Sequence, residues 1–273
     1  MSSKLRTSLF TLTALAAAAI LAGCGSSSAA DLPAAAPTPA PNPSTTVVLV
    51  HGAWADGSSW AKVTAQLQQR GLNVVAVQLP RNSLADDAAT VRRAIDAQPG
   101  QVVLVGHSYG GAVITEAGTD AKVANLVYVD AFAPGDGESI NDLTSPYPAA
   151  PWQAGLIKDS AGYLTLSTDV YLNNFAADVA TADAKVMASS QGPISAQALL
   201  FDKVSTAAWK NKPSYFVIGS SDQIVPPAFQ QGEAARIKAQ VTTIAGASHV
   251  SMVSHPTEVA NVILAATASV SGQ

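Results

Sequence analysis

Ser108 stands inside Gly106-His107-Ser108-Tyr109-Gly110-Gly111, a run that follows VVLV directly and precedes AVITEAG. A serine on a sharp strand-to-helix turn, flanked by glycines that let strand and helix approach, is the setting of a nucleophile. The helix after such a turn directs its N-terminal N–H groups at the site, which favours a developing negative charge. A phosphate-binding loop is the poorer reading, because no lysine follows as that motif requires.

A serine hydroxyl is a weak nucleophile until a base takes its proton. The chain has four histidines. His107 adjoins the serine and its side chain should diverge from it at the turn. His51 ends a strand-like run before Gly52-Ala53 and suits the shaping of the next loop. His255 precedes Pro256 at the expected start of the last helix. His249, in a loop after TTIAGAS, is the candidate base. Asp222, in GSSDQIVPP, and Asp130, in LVYVDAF, are the candidate acids that would fix its tautomer. Asp222 is favoured, because its turn should expose a carboxylate at the top of a sheet. Asp86 and Asp87 read as a helix start, where negative charge is favourable. Two main-chain N–H groups, those of Ala53 and Tyr109, are the expected oxyanion hole.

These side chains need a scaffold. Apolar, β-branched runs occur at residues 45–50, 73–78, 101–106, 125–130, 214–219 and 240–244. Their hydrophobicity is continuous rather than alternating, which predicts strands buried on both faces of a parallel sheet. Helix-like stretches lie between them: 60–70 before Gly71, 83–98 with Ser83 and Asp86 at capping spacing, and 226–238 opening on prolines. Alternating β and α predicts a doubly wound α/β fold, a six-stranded, mainly parallel sheet over residues 46–273. Residues 134–210 break the alternation and are expected to form a helical cap above the C-terminal ends of the strands, where such folds bind ligands.

Composition sets limits. Of 273 residues, 48% are hydrophobic and 12% charged, with a formal charge of −4. A disordered polyelectrolyte would be richer in charge, and nucleic-acid binding would need a basic surplus. A single cysteine makes neither an internal disulfide nor a Cys-rich zinc site. Lys4 and Arg6 precede the apolar stretch 9–22, too short to span a bilayer and suited to a secretory leader over residues 1–23. It ends Leu21-Ala22-Gly23-Cys24, which resembles the bacterial lipobox. That resemblance implies a lipidated Cys24, a cell-envelope location, and outer-membrane sorting in a Gram-negative cell, since Gly25 is not Asp. Residues 24–45, rich in Pro, Ala and Ser, suit a tether.

The stretches VVLVHGAWADGSSW, VVAVQLP, VVLVGHSYGGAVI, LVYVDAFAP, VIGSSDQIVP and GASHVSMVSHPTEVA together resemble the α/β-hydrolase superfamily, in the branch of plant methylesterases and hydroxynitrile lyases. The resemblance runs through most of residues 46–265 and is least in the cap. It implies an α/β-hydrolase fold, a Ser108–His249–Asp222 triad, an oxyanion hole from Ala53 and Tyr109, and no cofactor. It also implies that the two antiparallel strands opening larger relatives are missing. Lyases of the branch carry threonine and lysine where this chain has Gly52 and Val250, so an esterase acting on small, apolar esters is expected. A carbon–carbon lyase and a ligand-binding protein that keeps the triad are the alternatives. Gly52, Trp54, Phe132, Trp152, Val225 and Val250 are candidate pocket residues. Tyr147, Tyr163, Tyr171 and Phe175 are expected to serve mainly as cap core.

Overall fold

The computed structural model describes residues 45–270. The expected leader, the lipidated Cys24 and all of the tether but its last residue lie outside the described residues. In chain order the first half comprises β1 (Thr46–Val50), α1 (Ala61–Gln69), β2 (Asn73–Ala76), α2 (Leu84–Asp96), β3 (Val102–His107), α3 (Tyr109–Ala117) and β4 (Val123–Val129). A long excursion follows, with α4 (Ile140–Thr144), β5 (Leu156–Lys158), β6 (Tyr163–Leu166), α5 (Thr168–Val170), α6 (Thr181–Ser190) and β7 (Ile194–Ser195). The chain then returns through β8 (Ser214–Gly219), α7 (Pro227–Arg236), β9 (Gln240–Ile244), α8 (Ser251–Ser254) and α9 (Pro256–Val270).

Six strands form one sheet in the order β2-β1-β3-β4-β8-β9, and every pairing within it is parallel. Strands β1, β3 and β8 are buried throughout, and β4 nearly so. Continuous apolar runs are what such doubly covered strands require. The two edges differ. Strand β2 stops at Ala76, and four of the five residues of β9 are exposed, so QVTTI is an edge rather than a core strand. This is the α/β-hydrolase fold, and among the described residues its main sheet is wholly parallel.

The excursion after β4 is not purely helical. Strands β5, β6 and β7 form a separate antiparallel sheet, and two short π-helical turns accompany it, Tyr171–Phe175 between β6 and β7 and Gln197–Phe201 after β7. Indole and phenol groups join this cap to the parallel sheet's loops. Trp54 Nε1 donates to Leu164 O at 3.0 Å, and Tyr171 OH returns a bond to Trp54 O at 3.1 Å. Trp152 Nε1 donates to Ile224 O at 3.1 Å. Buried polar groups that are hydrogen-bonded in this way fix one arrangement of the cap over the strand ends.

Candidate active site

Ser108 sits between β3 and α3 with φ +53° and ψ −123°, a backbone conformation that costs energy for any L-residue. The surrounding contacts hold it there. Ser108 N–H donates to Val129 O at 3.1 Å, and its own carbonyl accepts from Gly111 N–H at 2.9 Å. A Cβ at Gly111 would collide with Phe132 O, and one at Gly110 would lie 2.7 Å from His51 O. Glycine is required at both places by close approach, and the turn lifts Ser108 Oγ out at the C-terminal end of the central strand.

Three segments distant in sequence meet on this serine. His249 Nε2 lies 2.9 Å from Ser108 Oγ, and His249 Nδ1 lies 2.8 Å from Asp222 Oδ2. A carboxylate accepts and does not donate, so Nδ1 carries the imidazole proton and Nε2 presents its lone pair to the serine hydroxyl. Asp222 is held in turn. Its Oδ1 accepts from the N–H groups of Ile224 at 2.8 Å and Val225 at 2.9 Å, and its Oδ2 accepts from Gln230 Nε2 at 2.8 Å. Burial lowers the His249 pKa below the ordinary histidine value and raises that of Asp222, with the three N–H donors opposing the latter shift.

Asp130 has different work. Its Oδ1 accepts from Gly219 N–H at 2.7 Å, and its Oδ2 accepts from Ser251 Oγ at 2.6 Å and Ser251 N–H at 3.2 Å. It therefore joins β4 to β8 and to the segment after His249, and makes no bond to the imidazole. The remaining histidines also have distinct places. His107 Nε2 donates to His249 O at 2.8 Å, with the two rings 4.9 Å apart. His51 Nε2 accepts from Leu79 N–H at 3.0 Å and its Nδ1 donates to Gly52 O at 2.8 Å, which shapes the loop after β1. His255 lies 3.4 Å from Asp178 Oδ2.

Neither Ala53 N–H nor Tyr109 N–H has an acceptor among the described residues, and Tyr109 N–H opens α3. The first four N–H groups of a helix have no partner within it. A cavity of about 430 Å³ opens beside Ser108, walled in part by Trp54, Phe132, Trp152, Val225 and Phe229. No charged side chain lines it. Gly52 and Val250 do not line it either, contrary to expectation. A Cβ at Gly52 would lie 2.7 Å from Ser108 Cβ and 2.9 Å from His107 Nδ1, so this glycine lets the first loop lie against the elbow and leaves no room for substrate. Val250 is fully buried where α8 begins. In the cap, Trp152 and Tyr147 reach the cavity, while Tyr171 and Phe175 are core and Tyr163 OH donates to Asn82 Oδ1 at 2.9 Å.

Two contributors escaped the sequence reading. Asp87 is fully buried and accepts from Tyr109 OH at 2.7 Å, so it is no mere helix-start charge. Gln230, also fully buried, bridges Asp222 Oδ2 and Val225 O, the latter at 2.7 Å. A polar residue recurring on the inner face of an amphipathic helix is the signal that could have marked both. Among the described residues, no group of three or more His, Cys, Asp or Glu side chains is placed to hold a metal ion.

A nucleophile elbow on the central strand, a buried Asp–His–Ser chain and a cap over the strand ends define a hydrolase of the α/β class. The sequence matches the alpha/beta hydrolase family over residues 47–262, and the chain belongs to that family. It is 27% identical over 208 residues to a probable hydrolase, R7, of Phoma sp., covering 68% of this chain and 81% of that protein. It is 33% identical over 128 residues to methylesterase 7 of Arabidopsis thaliana, covering 41% and 46% of the two. Among solved structures, polyneuridine aldehyde esterase superposes with a TM-score of 0.72 at 21% identity, covering 81% of this chain and 98% of that one.

Proposed function

We propose that the chain is a serine esterase that cleaves small, uncharged carboxylic esters through an acyl-enzyme. The observation that carries this reading is the unbroken path from Asp222 through His249 to Ser108, ending in a cavity with no charged lining. Ser108 Oγ attacks the acyl carbonyl while His249 Nε2 takes its proton, and Asp222 stabilises the imidazolium that forms. The N–H groups of Ala53 and Tyr109 receive the oxygen of the tetrahedral intermediate. His249 then protonates the departing alcohol. A water deprotonated by the same nitrogen attacks the acyl carbon, releasing the acid and restoring Ser108.

The names of the relatives support the same direction: a methylesterase in sequence, polyneuridine aldehyde esterase in fold. The lyase alternative is disfavoured, because a departing cyanide needs a cation beside the base. Here buried Val250 follows His249 and no Lys or Arg lines the cavity. Ser108→Ala should lower p-nitrophenyl acetate turnover at least about a thousandfold with the fold retained. Undiminished turnover would refute the assignment.

A further inference from the structure

Asp87 is a buried carboxylate that the proposed mechanism leaves unused, and its two oxygens serve two different segments. Oδ2 accepts from Tyr109 OH at 2.7 Å, and Oδ1 accepts from the main-chain N–H of Arg81, also at 2.7 Å. Arg81, in the loop between β2 and α2, takes φ +60°. Its guanidinium Nη1 reaches the loop after β1 and donates to Ala55 O at 2.9 Å. The path thus begins on the residue after Ser108 and ends two residues beyond Ala53. These are the two segments that hold the free N–H groups assigned above to the oxyanion hole.

The cap closes over this link. Ser195 N–H of β7 donates to Arg81 O at 3.0 Å, and a Cβ at Gly192 would collide with the guanidinium. Tyr109 and Asp87 are both fully buried. An apolar side chain could fill the Asp87 position at a lower desolvation cost. What the carboxylate adds is a pair of directed acceptors, which fix geometry rather than fill space.

We propose that Asp87 and Arg81 are positioning residues that set the separation and aim of the two oxyanion donors, Ala53 N–H and Tyr109 N–H. The inference rests on the esterase reading and adds to it a control over transition-state binding that lies outside the triad. Neither side chain lines the cavity. Their effect should therefore appear in kcat and in the binding of tetrahedral adducts rather than in KM.

Tyr109→Phe is the cleanest probe, because it removes one hydroxyl and keeps the ring, its packing and the main-chain N–H. Misplaced donors cost about tenfold to a hundredfold in rate. Tyr109→Phe and Arg81→Met should each lower kcat for p-nitrophenyl acetate by about that factor, with KM changed less than about twofold. Affinity for a trifluoromethyl ketone, which forms a tetrahedral adduct on Ser108, should fall in parallel. Asp87→Asn should behave alike, and adding Tyr109→Phe to it should bring little further loss, as groups of one network do. The proposal is overturned if Tyr109→Phe and Arg81→Met keep both kcat and ketone affinity within about twofold, or if only thermal stability or KM moves. Turnover that survives Ser108→Ala overturns the esterase reading itself. Ser108-dependent turnover indifferent to Tyr109→Phe overturns the positioning role alone.

Discussion

Burial acts on the two partners of the His249–Asp222 hydrogen bond in opposite senses, lowering the pKa of the imidazole and raising that of the carboxyl. Three N–H donors oppose the rise at the carboxyl, and the imidazole rests neutral at neutral pH, ready to accept the Ser108 proton. Protonation of His249 abolishes the base. Because its pKa lies below 6.5, the acid limb of kcat/KM should lie below pH 6.5 as well. Gln230 moderates this. It donates to the same Asp222 oxygen that faces His249 Nδ1, so it withdraws charge from the atom that would stabilise an imidazolium. Gln230→Leu leaves more negative charge facing the ring and should raise the acid limb by about 0.5–1 pH unit, the worth of one buried hydrogen bond. A pH–rate profile for the two enzymes decides it, and a limb that stays put or moves downward contradicts the role given to Gln230.

The elbow is the element where close packing leaves least freedom. Adding one methyl at Gly111, at the start of α3, drives it into Phe132 O, a main-chain atom that cannot turn aside. Gly111→Ala should cost about 1–3 kcal/mol or more, as overpacking of a rigid site does. Gly232, in the middle of α7, has open space where its Cβ would be. There Gly232→Ala should gain about 0.5–1 kcal/mol through helix propensity alone. Urea midpoints of the two variants should move in opposite directions from wild type, and a common direction would show that the elbow's packing is not what the glycine serves. The same contrast explains what was legible in the sequence. The nucleophile, the base and the buried strands carry local signatures: a turn motif, a short list of histidines, unbroken apolar runs. Strands β5 and β7, of three and two residues, are too short to show a period. Asp87, Gln230 and the true place of Gly52 depend on partners 22, 8 and 56 positions away; a polar residue on an inner helix face can mark burial, but it does not name the partner.

For the whole molecule, folding buries His51, His107 and His249 completely. Burial holds all three below the ordinary histidine value, with His51 lowered to about 4. The unfolded chain takes up a proton on each near pH 6.5, while the folded chain resists until lower pH. Between those values the unfolded state binds more protons, so this contribution to stability falls as pH falls. Asp87 and Glu233, whose pKa values burial raises, act in the opposite sense. The absolute slope is therefore a sum, but a difference between two chains isolates one group. His51→Gln loses the imidazole that joins Leu79 N–H to Gly52 O, and should be the less stable chain at pH 7. Wild type then gives up about 2 kcal/mol between pH 6.5 and pH 5 through His51, a loss that glutamine cannot suffer. The gap in urea-unfolding free energy between the two chains should narrow by about that amount at pH 5. A gap that stays constant or widens would mean that His51 is protonated in the folded molecule, and that the loop after β1 is held by a charge rather than by a neutral ring.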